Sequence, residues 1–268
     1  MVSMGSAQDS QVGRQEGIVE AVHDAVEGEV LRTLLRGATY RALALGFAYP
    51  SGDVLERLNA QWGALGSEPL PWPAEVRLAL ETAATLLQGA DGEALERDHV
   101  RLFGPAARCS LHETAYGDAG RLLGKSASLA DISGFYMAFG LNPSTGDAHP
   151  EDHIGLELEF MSLLSLKEAY ALVEGWHEPL DVTRDAQRKF AQDHLGTWTD
   201  ALVEQLRACD PPPFYAALGE ALQRVVRAEV TRLHASPVPV GECVVDTEMG
   251  GETLVCPRAA GDDQAESA

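Results

Sequence analysis

His153 and Glu157, in the segment HPEDHIGLELEFM, stand four residues apart and so would share one face near the start of a helix. An imidazole and a carboxylate at that spacing could both ligate a divalent metal. Asp152 or His149 could supply a third ligand, and His194, in QDHLGTW, could arrive through the fold. That set would describe a helical metal-dependent hydrolase. The same residues also have plainer uses. Glu157 could pair with His153 or with an arginine of another helix. Asp152, as an acid in a first helical turn, complements the helix dipole. His194 fits a hydrogen-bonded histidine at a core boundary. One His/Glu pair does not specify a metal site.

No other residue set points to a reaction. Cys109 and Ser110 have no neighbouring base that would mark an activated nucleophile. No phosphate-binding loop or dinucleotide fingerprint follows a strand-like run. The four cysteines, Cys109, Cys209, Cys243 and Cys256, make no CxxC pair and no zinc pattern. The expectation is a protein that binds and does not catalyse, with no cofactor.

Charge limits what it binds. Twenty Lys and Arg face forty-one Asp and Glu, a formal net charge of −21 over 268 residues. Such a surface repels nucleic acid and anionic lipid and attracts basic partners. The N-terminus, MVSMGSAQDSQVGRQEG, shows no apolar signal core, and no apolar run approaches the roughly 20 residues of a membrane span. The reading is a cytoplasmic protein with no membrane insertion.

The elements that would position these residues are helical. Residues 1–25 lack periodicity and read as a flexible N-terminal segment. From Val30, apolar residues Leu31, Leu34, Leu35, Ala38, Ala42 and Leu45 recur at helical spacing until Pro50. Asp53 to Trp62 reads as a short helix, and EPLPWP (68–73) separates it from another through Val76, Leu80, Ala83 and Leu87. EALERDHVRLFG follows, then a loop over 104–125. Leu129, Ile132, Phe135, Tyr136 and Phe139 form the face of a helix stopped by Gly140. The segment from Ile154 to Leu166 leaves almost no polar side and predicts a central helix buried all round. Phe190, His194, Trp198, Leu202 and Leu206 step by four along a helix capped by Thr183 or Asp181. A last helix runs from Phe214 to Leu233. The expectation is an all-α, single-domain bundle of eight or nine helices over 26–235. An acidic tail, 236–268, follows, either disordered or closed as a small hairpin about Met249-Gly250 with Cys243 opposite Cys256.

Six segments in order resemble the TorD/DmsD/NarJ-like family of redox-enzyme maturation chaperones. They are EALERDHVRLFGP (93–105), CSLHETAYGD (109–118), SGFYMAFGLNP (133–143), HPEDHIGLELEFM (149–161), FAQDHLGTW (190–198) and PFYAALGEAL (213–222). The resemblance covers residues 30–235 and includes the chaperones of the type II DMSO reductase group. It implies a chaperone that binds the N-terminal twin-arginine leader of a molybdopterin enzyme's catalytic subunit until cofactor insertion and assembly are complete. A relative of the NarJ kind would bind the remnant leader of an enzyme that is not exported. Carried over by motif, the leader-binding residues would be Phe103, Gly104, Pro105, Glu113, Tyr116, Glu151, Asp152 and His153. His112, Glu113, Thr114, Ala115 and Tyr116 stand where other members carry W-G-S-V-W, a departure that bears on which leader is bound. Some relatives form domain-swapped dimers, and the Gly- and Pro-containing stretch 140–150 would permit one, so the expected state is a monomer or a swapped dimer. Chemically, Glu151 and Asp152 would pair with leader arginines, while Tyr116 and Phe103 would cover apolar leader residues at about 25 cal/mol per Å2.

Overall fold

The computed structural model describes residues 5–66, 68–105, 107–117, 122–141 and 151–240. Within them the chain forms nine α-helical segments and no strand: α1 (Gly5–Phe47), α2 (Gly52–Leu65), α3 (Ala74–Gln88), α4 (Gly92–Phe103), α5 (Leu122–Ala138), α6 (Ile154–Glu174), α7 (His177–Phe190), α8 (Gly196–Ala208) and α9 (Pro213–Arg232). A π-helical turn, Ala191–Leu195, joins α7 to α8 without a break. The all-α bundle read from periodicity is therefore the fold.

α1 and α6 form its centre, running antiparallel. Arg36 meets Glu168, the backbone at Gly37 lies against Ser162 and Ser165, and the carbonyl of Ala44 lies 3.8 Å from where a Cβ on Gly155 would stand. Small residues at that crossing let the two backbones approach. From Leu35 onward α1 is buried on nearly every side, with Tyr40, Ala42, Leu43 and Phe47 inside the core. The helices α3 and α8 pack on α9, α7 packs on α6, and α2 packs on α1. Two tryptophans pin the flanking segments to α1: Trp62 donates to the carbonyl of Ala42 at 3.1 Å, and Trp72 donates to Thr39 Oγ1 at 3.0 Å.

A polar network crosses the same core. Glu168 accepts from Arg36 at 3.0 Å, from Arg184 at 2.8 Å and from Gln187 at 2.9 Å, and Arg232 reaches Gln187 at 2.8 Å and Glu229. Four helices, α1, α6, α7 and α9, thus share one set of charges. Burial alone would raise the Glu168 carboxyl, but the bonds from Gln187 and Arg184 and the charge of Arg36 outweigh it and lower it.

Several boundaries differ from the sequence reading. The helix α1 begins at Gly5, well before the periodicity at Val30, and its side chains from His23 to Glu27 are exposed. The cap expected at Thr183 or Asp181 does not exist: α7 starts at His177, and Thr183 sits inside it, donating to the carbonyl of Pro179 at 2.8 Å. Nor is α6 buried all round. Ile154, Leu158, Phe160, Met161 and Leu164 are buried, but Leu156 and Leu163 are only half-buried, and Leu166, Tyr170 and Val173 are more than half exposed. The helix ends at Gly175, whose φ of +65° is left-handed and suits glycine. Gly140, at φ +77°, stops the turn after α5 as expected.

Among the described residues no helix is long and apolar enough to cross a membrane. His149, the stretch 142–150 and the tail 241–268, with Cys243 and Cys256, lie outside the described residues. Val240, the last described residue, donates its N–H to the carbonyl of Thr197 at 2.9 Å and so is tied to the start of α8.

Candidate functional site

The 109–117 loop is stitched to the start of α6. Glu113 N–H donates to the carbonyl of Asp152 and Ile154 N–H to that of Leu111, both at 2.9 Å, an antiparallel bridge that sets His112 beside His153. Their rings stand 5.2 Å apart, edge to face. The loop then tightens into one 3-10 turn, Glu113–Ala115.

Asp152 holds that turn. Its carboxylate accepts from the Thr114 hydroxyl at 2.5 Å, from Thr114 N–H at 3.2 Å and from His112 Nδ1 at 3.1 Å. At 1% exposure it has no open face toward solvent. Burial would raise this carboxyl, but the bonds from His112 and Thr114 outweigh it and hold it at about 2, so Asp152 is ionised at any physiological pH. His153 is the N-cap of α6, with Nδ1 accepting from Gly155 N–H at 3.0 Å. It thus precedes the helix on whose face it was expected. Glu151, half-buried, has its carbonyl held by the Tyr136 hydroxyl at 3.0 Å.

A second buried layer lies beneath. Glu113 accepts from Ser128 Oγ at 3.0 Å and meets His194 Nδ1 at 3.2 Å; His194 Nε2 lies 3.2 Å from Asp131. Burial favours neutral His194, but Glu113 and then Asp131 outweigh it and raise its pKa. Glu157, fully buried, accepts from the indole N–H of Trp198 at 3.1 Å, while its Oε1 meets no donor. Burial first, then the neighbouring Glu113 carboxylate, push Glu157 well above the usual range, and Glu113 is the acceptor a protonated Glu157 would use. Tyr116 stacks against Trp198 with centroids 5.3 Å apart and donates to the carbonyl of Ser110 at 2.7 Å. The π turn, with one residue more per turn than its flanks, presents His194 to this layer.

Glu113, Tyr116, Asp152 and His153 are therefore brought together as expected, but inside the protein. Phe103, Gly104 and Pro105 form a neighbouring group at the same end of the bundle. The Phe103 ring meets Phe47, His99 and Tyr215, Gly104 ends α4, and Pro105 is exposed. At Gly104 a Cβ would stand 2.4 Å from the carbonyl oxygen of Val100, so only glycine fits. Thr114, Ser128, Asp131 and Trp198 join the site from the structure alone; the segment holding Trp198 carries a sequence signal, but its pairing with Glu157 does not. Among the described residues no group of three or more His, Cys, Asp or Glu is placed to hold a metal. The hydrolase alternative built on His153 and Glu157 has no support here, since one caps a helix and the other is held by an indole.

Residues 70–204 match the family described as nitrate reductase delta subunit. This chain belongs to the nitrate reductase delta subunit family. The matched span of this delta-subunit homologue contains the loop, α5, α6, α7, the π turn and Trp198, hence every residue of the layers above. Relatives include the selenate reductase assembly chaperone protein of Thauera selenatis, 30% identical over 76% of this chain and 92% of that protein. The chlorate reductase assembly chaperone protein of Ideonella dechloratans is 28% identical over 74% and 89%. The dimethyl sulfide dehydrogenase assembly chaperone protein of Rhodovulum sulfidophilum is 30% identical over 67% and 72%. A solved structure of a putative redox enzyme maturation protein from Archaeoglobus fulgidus covers 71% of this chain and 93% of that one, at 22% identity and a TM-score of 0.43. The resemblance to maturation chaperones read from six ordered motifs is borne out.

Proposed function

We propose that this delta-subunit homologue is a cytoplasmic assembly chaperone for the catalytic subunit of a molybdopterin oxidoreductase. It would bind the precursor's N-terminal leader, of the twin-arginine kind, and catalyse nothing itself. The observation that carries the reading is the set of relatives named as assembly chaperones of selenate and chlorate reductases and dimethyl sulfide dehydrogenase, each matched over most of its length.

The leader-binding end would be the one where the 103–117 loop meets the start of α6. There Glu113, Tyr116, Asp152 and His153 act by holding the loop in shape. Contact with the leader falls to the outer members, Phe103, Gly104, Pro105 and Glu151, together with the partly exposed His112. An ionised Asp152 beside His112 also keeps the local potential negative, as a cationic leader segment requires. Co-expression with a neighbouring molybdoenzyme gene, followed by affinity purification and calorimetry against the client's leader peptide, tests this. Recovery of the precursor and saturable leader binding are expected. A precursor that matures and assembles equally well without the protein would refute it.

A further inference from the structure

On the C-terminal half of α6, Leu163, Leu166, Tyr170 and Val173 follow one another at spacings of three, four and three residues. Two apolar positions in every seven make the stripe by which one α-helix packs along another. Leu163 is half-buried, but Leu166 is 57% exposed, Tyr170 55% and Val173 64%, so among the described residues no helix closes over the stripe. An open groove of about 700 Å3 runs beside it, lined also by Phe139 and by Pro179 and Val182 of α7. With Trp176 and Val182, which are 47% and 54% exposed, this face presents roughly 600 Å2 of apolar surface, the upper end of what a monomer shows. Two copies closed on it would bury about 1,200 Å2, where the range of specific, stable interfaces begins.

The charges beside the stripe select a second copy of this chain. Lys167 is the charged residue in the groove lining, and it follows Leu166. Glu174 follows Val173 seven residues further on, so it shares the same flank of α6, and it is exposed. Among the described residues neither side chain forms an ion pair. An antiparallel two-fold that lays Tyr170 against Val173 of the second copy sets Lys167 against Glu174 of that copy, and the symmetry repeats both pairs. Opposite charges at the two positions that the two-fold brings together make the face complementary to itself.

We propose that this face of α6 joins two copies of the chain, antiparallel, through Leu166, Tyr170 and Val173, with Lys167 paired to Glu174 across the interface. Two complete bundles meet face to face and exchange no segment. The net charge of −21 on each copy opposes association, so the dimer tightens as salt screens it, the reverse of an encounter driven by opposite charges. Tyr170 lies seventeen residues beyond His153 on α6, about 25 Å along the helix. The two-fold therefore leaves the two ends that hold Asp152 and His153 about 50 Å apart, on opposite sides of the dimer.

Sedimentation equilibrium of the full chain over a concentration series reads the dimer. Trp176 emission reads the face, because Trp62, Trp72 and Trp198 are buried. A dimer that tightens with salt, and a blue shift of Trp176 that follows it, are expected. Leu166→Glu with Tyr170→Glu, both at exposed positions, should leave a monomer of unchanged helicity. Lys167→Glu alone and Glu174→Lys alone should each weaken the dimer about tenfold at low salt, since each sets like charges together twice. The two reversals combined keep the net charge of the wild type and should restore its affinity. These charge variants decide the point even where the double glutamate variant fails to fold. A chain that stays monomeric at about 100 μM in high salt, a dimer that survives Leu166→Glu with Tyr170→Glu, or combined reversals that restore nothing would each overturn the proposal. So would a monomer whose Trp176 shifts only when the precursor of a co-expressed molybdoenzyme is added, which would give the face to another protein.

Discussion

The hydroxyl of Thr114 and the N–H of the same residue both donate to one oxygen, Oδ2 of Asp152, across 38 residues of sequence. That oxygen is what turns a Gly- and Pro-bounded loop into a fixed surface against α6.

Asp152→Asn would aim an amide N–H2 at donors or leave Thr114 short of an acceptor. A cost of about 2 kcal/mol is expected, because a buried donor loses its partner. A lower urea midpoint with unchanged helicity, and faster proteolysis within 104–117, are the readouts. Wild-type stability should also fall in acid. With the folded carboxyl at about 2 against 3.8 when unfolded, the stabilisation is present above pH 4 and is lost as pH drops toward 2. The Asn variant should lack that acid limb.

Glu157→Gln is expected to stabilise the protein at pH 8. The wild-type carboxyl resists ionising in the folded state, so stability declines as pH rises above about 4.5, the range of an unfolded glutamate. Glutamine keeps an oxygen for Trp198 and can donate to Glu113. A gain of about 1 kcal/mol at pH 8 that vanishes at pH 4, measured by chemical denaturation, is the expected pattern. No gain at pH 8 would contradict a raised Glu157.

His194 adds a slope of the same sign. Its folded pKa lies above the unfolded 6.5, so its pairing with Glu113 and Asp131 stabilises fully below 6.5 and fades as pH rises through the folded value. His194→Gln should flatten the stability profile above pH 6.5, and NMR titration of the imidazole should place its midpoint above that of a free histidine.

Glu168→Leu strips Arg36, Arg184 and Gln187 of a shared acceptor. About 3 kcal/mol of destabilisation is expected from the uncompensated buried guanidinium of Arg36. Adding Arg36→Leu should recover part of it, since two apolar side chains replace the pair. A double variant weaker than the single one by thermal denaturation would contradict this account.

The helical body was legible because its signals are local. Leu129, Ile132, Tyr136 and Gly140 already spell a helix with a stop, and the structure puts all four to that use. Asp152 was not legible in its true role. An acid ahead of a helix looks like a dipole complement until His112 and Thr114 are known to lie against it, forty and thirty-eight residues away. The same holds for Glu157, whose partner Trp198 comes from another helix. The exposure of Leu166, Tyr170 and Val173 was hidden for the opposite reason: uniform apolar composition predicts burial, and only the packing of α1 and α7 shows which face stays open.

The π turn at 191–195 has a bearing on how this sequence can change. Five residues of π winding turn the chain about as far as four of α winding, so a one-residue deletion that restored ordinary α spacing would leave α8 close to its present register against α7. Trp198 would keep its place beside Glu157, while His194, inside the widened turn, would lose the position that meets Glu113 and Asp131. A one-residue gap between homologues in that window would therefore mark the loss of the imidazole from the acid layer and not a shifted helix.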